Sequence, residues 1–169
     1  KAESLISIAK EYVDAFIVSD WGAIELCKKY HVPFHISTQM SVSNSLSAEF
    51  LRTQGASRIV LARECTLSEV KDIAEKVDVE IECFVHGALC VCYSGQCYLS
   101  EMISGRSANR GACIQACRSR YDLVNESGKV LVKDKALLSL KDFNLKNRIK
   151  ELAECGICSF KIEGRLKNA

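Results

Sequence analysis

Residues 58 to 85 contain Arg58-Ile59-Val60-Leu61-Ala62, then Thr66-Leu67-Ser68-Glu69, then Val79-Glu80-Ile81-Glu82-Cys83-Phe84-Val85. Val70, Ile73, Ala74 and Val77 fall at helical spacing ahead of the second apolar run. A strand-length run, a capping box with Thr66 at the N-cap and Glu69 three residues on, an amphipathic helix and another strand make a βαβ unit. The same rhythm extends outward. Asp14-Ala15-Phe16-Ile17-Val18-Ser19 and Val32-Pro33-Phe34-His35-Ile36-Ser37 are further strand candidates, with Ala23, Ile24, Leu26 and Cys27 on one helical face between them. Near the end, a helix from about Leu145 to Cys155 is closed by Gly156 and leads into Ile157-Cys158-Ser159-Phe160-Lys161-Ile162. The pattern predicts an α/β fold with one parallel sheet, its strands near 14–20, 32–38, 58–64, 79–86 and 157–163, and with Arg63, His86 and Glu163 at its carboxyl side. Mostly apolar strands suggest a sheet covered on both faces.

Closing a (β/α)₈ barrel takes eight strands and about 200 residues or more. The 169 residues here supply fewer strands, start inside a helix and stop just after a strand. The expectation is a partial TIM-type (β/α) barrel, a single domain over residues 1–169 that is a fragment of a longer barrel. Open strand edges then call for a second copy of the chain, a homo-oligomer, or a terminal helix laid across them.

Charge is balanced, 23 Lys and Arg against 21 Asp and Glu, and 48% of residues are hydrophobic. That excludes a disordered tail and a strongly basic arm. No apolar run is long enough to span a bilayer, so no membrane partner is expected. Residues 87 to 118 interrupt the strand–helix rhythm with Gly87, Gly95, Gly105 and Gly111 and most of the cysteines. A long irregular segment inside a compact domain is usually functional, and this one reads as an inserted cysteine-rich lobe. After it, Tyr121–Val124 and Lys129–Val132 flank Asn125-Glu126-Ser127-Gly128 as a β-hairpin.

Ten cysteines are the outlying number, and Cys83, Cys90, Cys92, Cys97, Cys113 and Cys117 fall within 35 residues. Clustered thiols in an ordinary globular chain point to a metal site in a reducing compartment, hence the cytoplasm. Cys90, Cys97, Cys113 and Cys117 lie in polar, glycine-rich surroundings with the spacing C-x6-C-x15-C-x3-C. Four thiolates complete either a tetrahedral zinc site or a [4Fe–4S] cluster. Zinc ribbons use tighter C-x2-C knuckles, so the looser spacing leans toward the cluster. Cys27 and Cys65 read as small buried hydrophobes. Cys155-Gly156-Ile157-Cys158 matches C-x-x-C, but Gly156 looks like a helix stop rather than part of a redox turn. Cys83 and Cys92 stay ambiguous.

His86, ending a strand, and Arg106 and Arg110 are weak catalytic candidates. Met102 to Tyr121 holds Arg106, Arg110, Arg118 and Arg120 without an acidic residue. Such a patch suits phosphate or a carboxylate substrate, or offsets the charge of a thiolate-held cluster by lowering the thiol pKa values. Residues 133 to 150, with six Lys or Arg against two Asp, read as a solvated surface.

Glu82-Cys83-Phe84-Val85-His86-Gly87-Ala88-Leu89-Cys90 with Tyr93-Ser94-Gly95-Gln96-Cys97-Tyr98-Leu99-Ser100 resembles the signature of the collagenase-like peptidase family U32. Gly105-Arg106-Ser107-Ala108-Asn109-Arg110-Gly111-Ala112-Cys113-Ile114-Gln115-Ala116-Cys117-Arg118 and the closing Phe160-Lys161-Ile162-Glu163-Gly164-Arg165 continue the likeness. The resemblance implies an amino-terminal (β/α) barrel and a [4Fe–4S] cluster on Cys90, Cys97, Cys113 and Cys117. It also implies RNA hydroxylation, including prephenate-dependent hydroxylation of a tRNA wobble uridine, with tRNA or another RNA and a prephenate-like molecule as partners. The family's older label implies a peptidase, and a non-catalytic iron–sulfur assembly protein is a further alternative. Cys92, Cys155 and Cys158 depart from the common pattern. A protease needs an activated nucleophile, paired carboxylates or an open metal position, and neither Gly-x-Ser-x-Gly nor His-Glu-x-x-His occurs. Thiolate clusters suit redox chemistry, so RNA hydroxylation leads.

Overall fold

The computed structural model describes residues 1–164; Arg165 of the closing motif lies outside them. The elements in order are α1 (Ala2–Ala9), β1 (Phe16–Val18), α2 (Trp21–Lys29), β2 (Phe34–Ile36), α3 (Ser45–Thr53), β3 (Arg58–Val60), α4 (Leu67–Lys76), β4 (Glu80–Gly87), α5 (Leu99–Ser104), β5 (Tyr121–Val124), β6 (Val130–Lys135), β7 (Phe143–Asn144), α6 (Ile149–Glu154) and β8 (Ser159–Glu163). Strands β1, β2, β3, β4 and β8 form one parallel sheet in that spatial order, as the alternating pattern predicts. The added β7 is two residues long and pairs antiparallel with β4 through His86 and Asn144. The hairpin β5–β6 stands apart as its own two-stranded sheet.

Local chemistry starts and stops the helices where the residues say it should. Thr66 accepts from Glu69 N while the Glu69 carboxylate accepts from Thr66 N at 2.7 Å, the reciprocal capping box. Asp20 caps α2 by accepting from Ala23 N, and Asn44 caps α3 from Ser47 N. Gly156, at φ 95°, lets the chain leave α6 and turn into β8.

One apolar core lies between the helices and a single face of the sheet. Phe34, Ile36, Ile59, Ile81 and Val85 project into it and meet Ile6 of α1, Ile24 and Cys27 of α2, Leu51 of α3, Val70 and Ile73 of α4, and Leu152 of α6. The expectation of a sheet buried on both faces is corrected here. Alternate strand positions put His35, Arg58, Glu80, Glu82 and Lys161 on the other face, where Arg58 bonds to Glu80 and Glu82, and Lys161 to Glu82, rather than to a second layer of helices. Glu82, buried among them, accepts from Lys161 and Ser159 at 2.7 Å and from Arg58 at 3.4 Å. Burial pushes its carboxyl up, but the bonds from Lys161 and Ser159 and the charge of Arg58 hold it below the ordinary value. Among the described residues the sheet is open, no barrel closes, and β1 has no partner on its outer edge.

Candidate functional site

Because the five long-range neighbours in the sheet run parallel, their carboxyl ends gather on one rim. Arg63 and Glu64 follow β3, Thr38 follows β2, and His86 and Gly87 end β4 beside Glu163 of β8. Arg63, His86 and Glu163 thus take the side expected of them. Arg63 Nη2 donates to Glu163 Oε2 at 2.9 Å, and its guanidinium carbon sits 4.3 Å above the Phe84 ring centre. Its Nε is buried and has no hydrogen-bond partner among the described residues. Gly87 is held at φ 111°, and a Cβ there would lie 2.1 Å from the Glu163 carbonyl oxygen. Only glycine fits where β4 hands the chain to the cysteine-rich lobe.

Buried Ser94 fastens that lobe to the rim. Its hydroxyl donates to Glu64 Oε2 at 2.8 Å and accepts from Arg63 N at 3.1 Å, while its own N–H donates to Glu64 Oε1 at 3.1 Å. Thr38 Oγ1 donates to the Leu61 carbonyl and lies 3.4 Å from Ser94 Oγ. At the next residue, a Cβ on Gly95 would lie 2.0 Å from the Gln39 carbonyl oxygen. Further along, Cys97 N donates to Asn109 Oδ1, and Ile114 N donates to the buried Ser100 hydroxyl. Arg118 returns the end of the lobe to its beginning, donating to Leu89 O at 3.1 Å and reaching Ser139, Leu140 and Asp142.

This folding brings Cys90, Cys97 and Cys113 within electrostatic reach of Cys117. Burial raises the Cys117 thiol, Cys90, Cys113 and Cys97 add to the rise, and Arg118 opposes it. Cys92 is raised by burial and by its contact with Cys97. All ten thiols are free. Among the described residues, no three His, Cys, Asp or Glu side chains close on a single-ion position. Four free thiols on glycine-rich backbone are, by chemistry, the donor type of a multi-iron cage, whose anchoring sulfurs stand farther apart than the ligands of one ion. Cys90 would hold it from the first loop, Cys97 from the turn ahead of α5, and Cys113 and Cys117 from the returning segment.

The other candidates separate. Arg106 and Arg110 are exposed and make no ion pair or side-chain hydrogen bond among the described residues. Arg120 pairs with Asp134 in the hairpin. Arg118 is thus the basic residue whose charge acts on Cys117. The exposed His86 makes no ring hydrogen bond among the described residues. Burial pushes Cys65 up to about 11 and Cys83 up to about 12, so neither is a thiolate near neutrality. Cys155 ends α6, and Cys158 sits on the sheet side with its sulfur against Ile81 O. Thr38 and Glu64 lie outside every motif read from the sequence, and Phe84, Ser94 and Asn109 lie inside the quoted motifs with no role read for them there.

Two cavities adjoin the rim. A 390 Å³ cavity is lined by Arg63, Glu64, Leu89, Cys90, Cys92 and Tyr93, and so joins the thiol group to the rim arginine. A 270 Å³ apolar one lies between β3, β4, α4 and α6, lined in part by Cys65, Val70, Cys83, Phe143 and Leu152. The first has the size and mixed lining of a small-molecule site.

Fold and site together define an α/β protein with a cysteine-rich lobe seated over the carboxyl ends of a parallel sheet. The chain belongs to Peptidase family U32, whose family model matches residues 2–169. It is 47% identical over 156 residues to a 23S rRNA 5-hydroxycytidine synthase of Escherichia coli, covering 92% of this chain and 24% of that protein. It is 43% identical to tRNA hydroxylation protein P1 of Bacillus subtilis, over 92% of this chain and 39% of that one. A Porphyromonas gingivalis protein named collagenase is 37% identical, over 94% of this chain and 41% of that protein. The chain therefore spans well under half the length of these curated relatives. The solved structure of a U32 peptidase superposes with a TM-score of 0.54 at 16% identity, covering 98% of this chain and 61% of that one, which shows a shared fold.

Proposed function

We propose that the full-length protein is an RNA hydroxylase whose reaction centre lies where the thiol group meets the Arg63 rim. The observation that carries this reading is the 390 Å³ cavity bounded at once by Cys90 and Arg63. A [4Fe–4S] cluster held by Cys90, Cys97, Cys113 and Cys117 would supply one-electron redox chemistry at that place; zinc, the alternative, is disfavoured because no three donors among the described residues close on a single-ion position. Arg63, anchored by Glu163 and stacked on Phe84, would receive the carboxylate of a prephenate-like co-substrate through its buried Nε. Glu64 and Ser94 hold the lobe against the rim and so keep the two halves of the cavity in register. Relatives named for hydroxylation of tRNA and rRNA support the substrate class, with a tRNA wobble uridine as the first candidate.

The same proposal treats the parallel sheet as an arc of a (β/α) barrel, with residues 87–118 as its inserted lobe and the longer protein or a second copy continuing from β1. No helix among the described residues is long and apolar enough to cross a membrane, and RNA chemistry with free thiols suits the cytoplasm. A peptidase reading rests on the collagenase relative. A non-catalytic iron–sulfur assembly role would leave RNA untouched. Mass spectrometry of tRNA and rRNA nucleosides from cells lacking the gene, and from cells complemented with Cys117→Ser or Arg63→Ala, decides among them. Hydroxylated nucleosides should vanish in the deletion strain and fail to return with either variant. Unchanged nucleosides together with gelatin cleavage by the purified protein would replace this function with the peptidase.

A further inference from the structure

The outer surface of the cysteine-rich lobe carries a set of side chains that neither the fold nor the thiol group uses. Tyr93 is 68% exposed, Tyr98 63% and Met102 83%, while Ser94 and Ser100 between them are buried. The backbone therefore turns its polar small residues inward and its aromatic ones out, the reverse of what a solvated loop needs. Tyr93 and Tyr98 directly follow Cys92 and Cys97, two thiols of the same loop. Arg110 directly follows Asn109, whose side chain holds Cys97 N at 3.0 Å. Arg106 emerges just beyond α5, a six-residue helix about 9 Å long that is flanked by Tyr98 and Gly105. These connections put two exposed tyrosines, Met102 and two exposed arginines on a single small lobe. Across residues 87–118 Glu101 is the one acidic residue, against Arg106, Arg110 and Arg118. Arg118 is spent on carbonyl oxygens and Asp142, whereas Arg106 and Arg110 make no ion pair among the described residues.

The geometry points to this surface as the docking site for an unpaired RNA segment, with bases stacked on Tyr93 and Tyr98 and phosphates met by Arg106 and Arg110. Exposed aromatic planes interleaved with free guanidinium groups bind single strands, because every base offers a π-face and every nucleotide a charge. A duplex hides its base faces and would use only the arginines. Tyr93 also lines the 390 Å³ cavity beside Cys90, so a base stacked there stands at the entrance to the thiol site. The inference rests on the RNA-hydroxylase reading and narrows it to a surface; Arg106 and Arg110 become binding residues rather than catalytic ones.

The test measures binding of a short fluorescein-labelled single-stranded RNA by fluorescence anisotropy, using the full-length protein at several salt concentrations. Arg106→Glu with Arg110→Glu should weaken binding at least tenfold and reduce the salt slope by about 1.4 for two lost phosphate contacts. Tyr93→Ala and Tyr98→Ala should each weaken it about tenfold with little change in slope. A charge-matched control, Lys71→Glu with Lys150→Glu on α4 and α6, should bind as the parent does. Thiol titration and circular dichroism identify any variant that fails to fold, and the milder Arg106→Gln with Arg110→Gln then replaces it. Binding unaffected by the arginine or tyrosine changes, an equal loss in the control pair, or equal competition by duplex RNA would each overturn the docking site. Nucleoside mass spectrometry keeps the two ideas apart. RNA bound through this surface but never hydroxylated removes the enzyme reading alone, whereas hydroxylation by the arginine variant with an unchanged KM removes the surface alone.

Discussion

Single atoms decide how the lobe sits on the sheet. Gly95 is at φ 71° and its missing Cβ would strike the Gln39 carbonyl, while Gly111, at φ 78°, has nothing within 4 Å. Gly95→Ala should therefore cost about 2–3 kcal/mol from clash plus backbone strain, and Gly111→Ala about 1 kcal/mol from strain alone. Urea denaturation of the two variants checks the order. The thiols allow a second comparison. Replacing Cys90, Cys97, Cys113 or Cys117 with Ser should abolish iron uptake in anaerobic reconstitution, whereas Cys27→Ser, Cys155→Ser and Cys158→Ser should bind the parent's amount. Iron per chain, measured colorimetrically, is the readout, and full uptake by Cys113→Ser with none by Cys155→Ser would transfer the site. In the sequence the four thiols stand apart from Cys27 and Cys65 because of their glycine-rich surroundings. The Ser94–Glu64 tie was not legible there, since it joins residues 30 apart whose types are common anywhere.

Among the elements, α4 shows most directly how local sequence becomes structure. Thr66→Ala removes the cap and should cost about 1 kcal/mol, read as a lower thermal midpoint. Glu69 is held below the ordinary glutamate value of 4.5 by its bonds to the Thr66 backbone and hydroxyl. A carboxylate with a depressed folded pKa stabilises above its unfolded value and loses that contribution as pH falls through the folded one. The gap in midpoint between parent and Thr66→Ala should accordingly narrow on acidification below pH 4.5. Capping boxes are legible because donor and acceptor lie three residues apart. The two-residue β7 was not, because so short a pairing carries no periodicity and depends on β4 being already in place. The strands themselves proved shorter than their apolar runs, β3 ending at Val60 although Leu61 and Ala62 are equally buried.

At the scale of the whole molecule, the sheet is asymmetric, apolar toward the helices and ionic on its other face. Apolar strand composition alone did not reveal this, because Arg58, Glu82 and Lys161 occupy alternate positions within runs that read as hydrophobic. Glu82→Ala strands Lys161, whose side chain is about 30% exposed, and leaves Arg58 with its pair to Glu80 alone. The cost should be about 1–3 kcal/mol, less than the ~3–5 expected for fully buried partners. Chemical denaturation at neutral pH measures it, and the difference from the parent should shrink as pH falls through the lowered pKa of Glu82. The edge of β1, unpaired among the described residues, should pair with another copy of the chain. Light scattering of this chain alone should then show association rather than a monodisperse monomer. The ionic face also has a calorimetric consequence. Unfolding a chain whose single core serves one side of its sheet exposes less apolar and more polar surface per residue than a sheet clad on both sides. Its heat-capacity increment should fall below the usual ~12–15 cal/mol/K per residue, giving a flatter dependence of stability on temperature and a gentler loss in the cold.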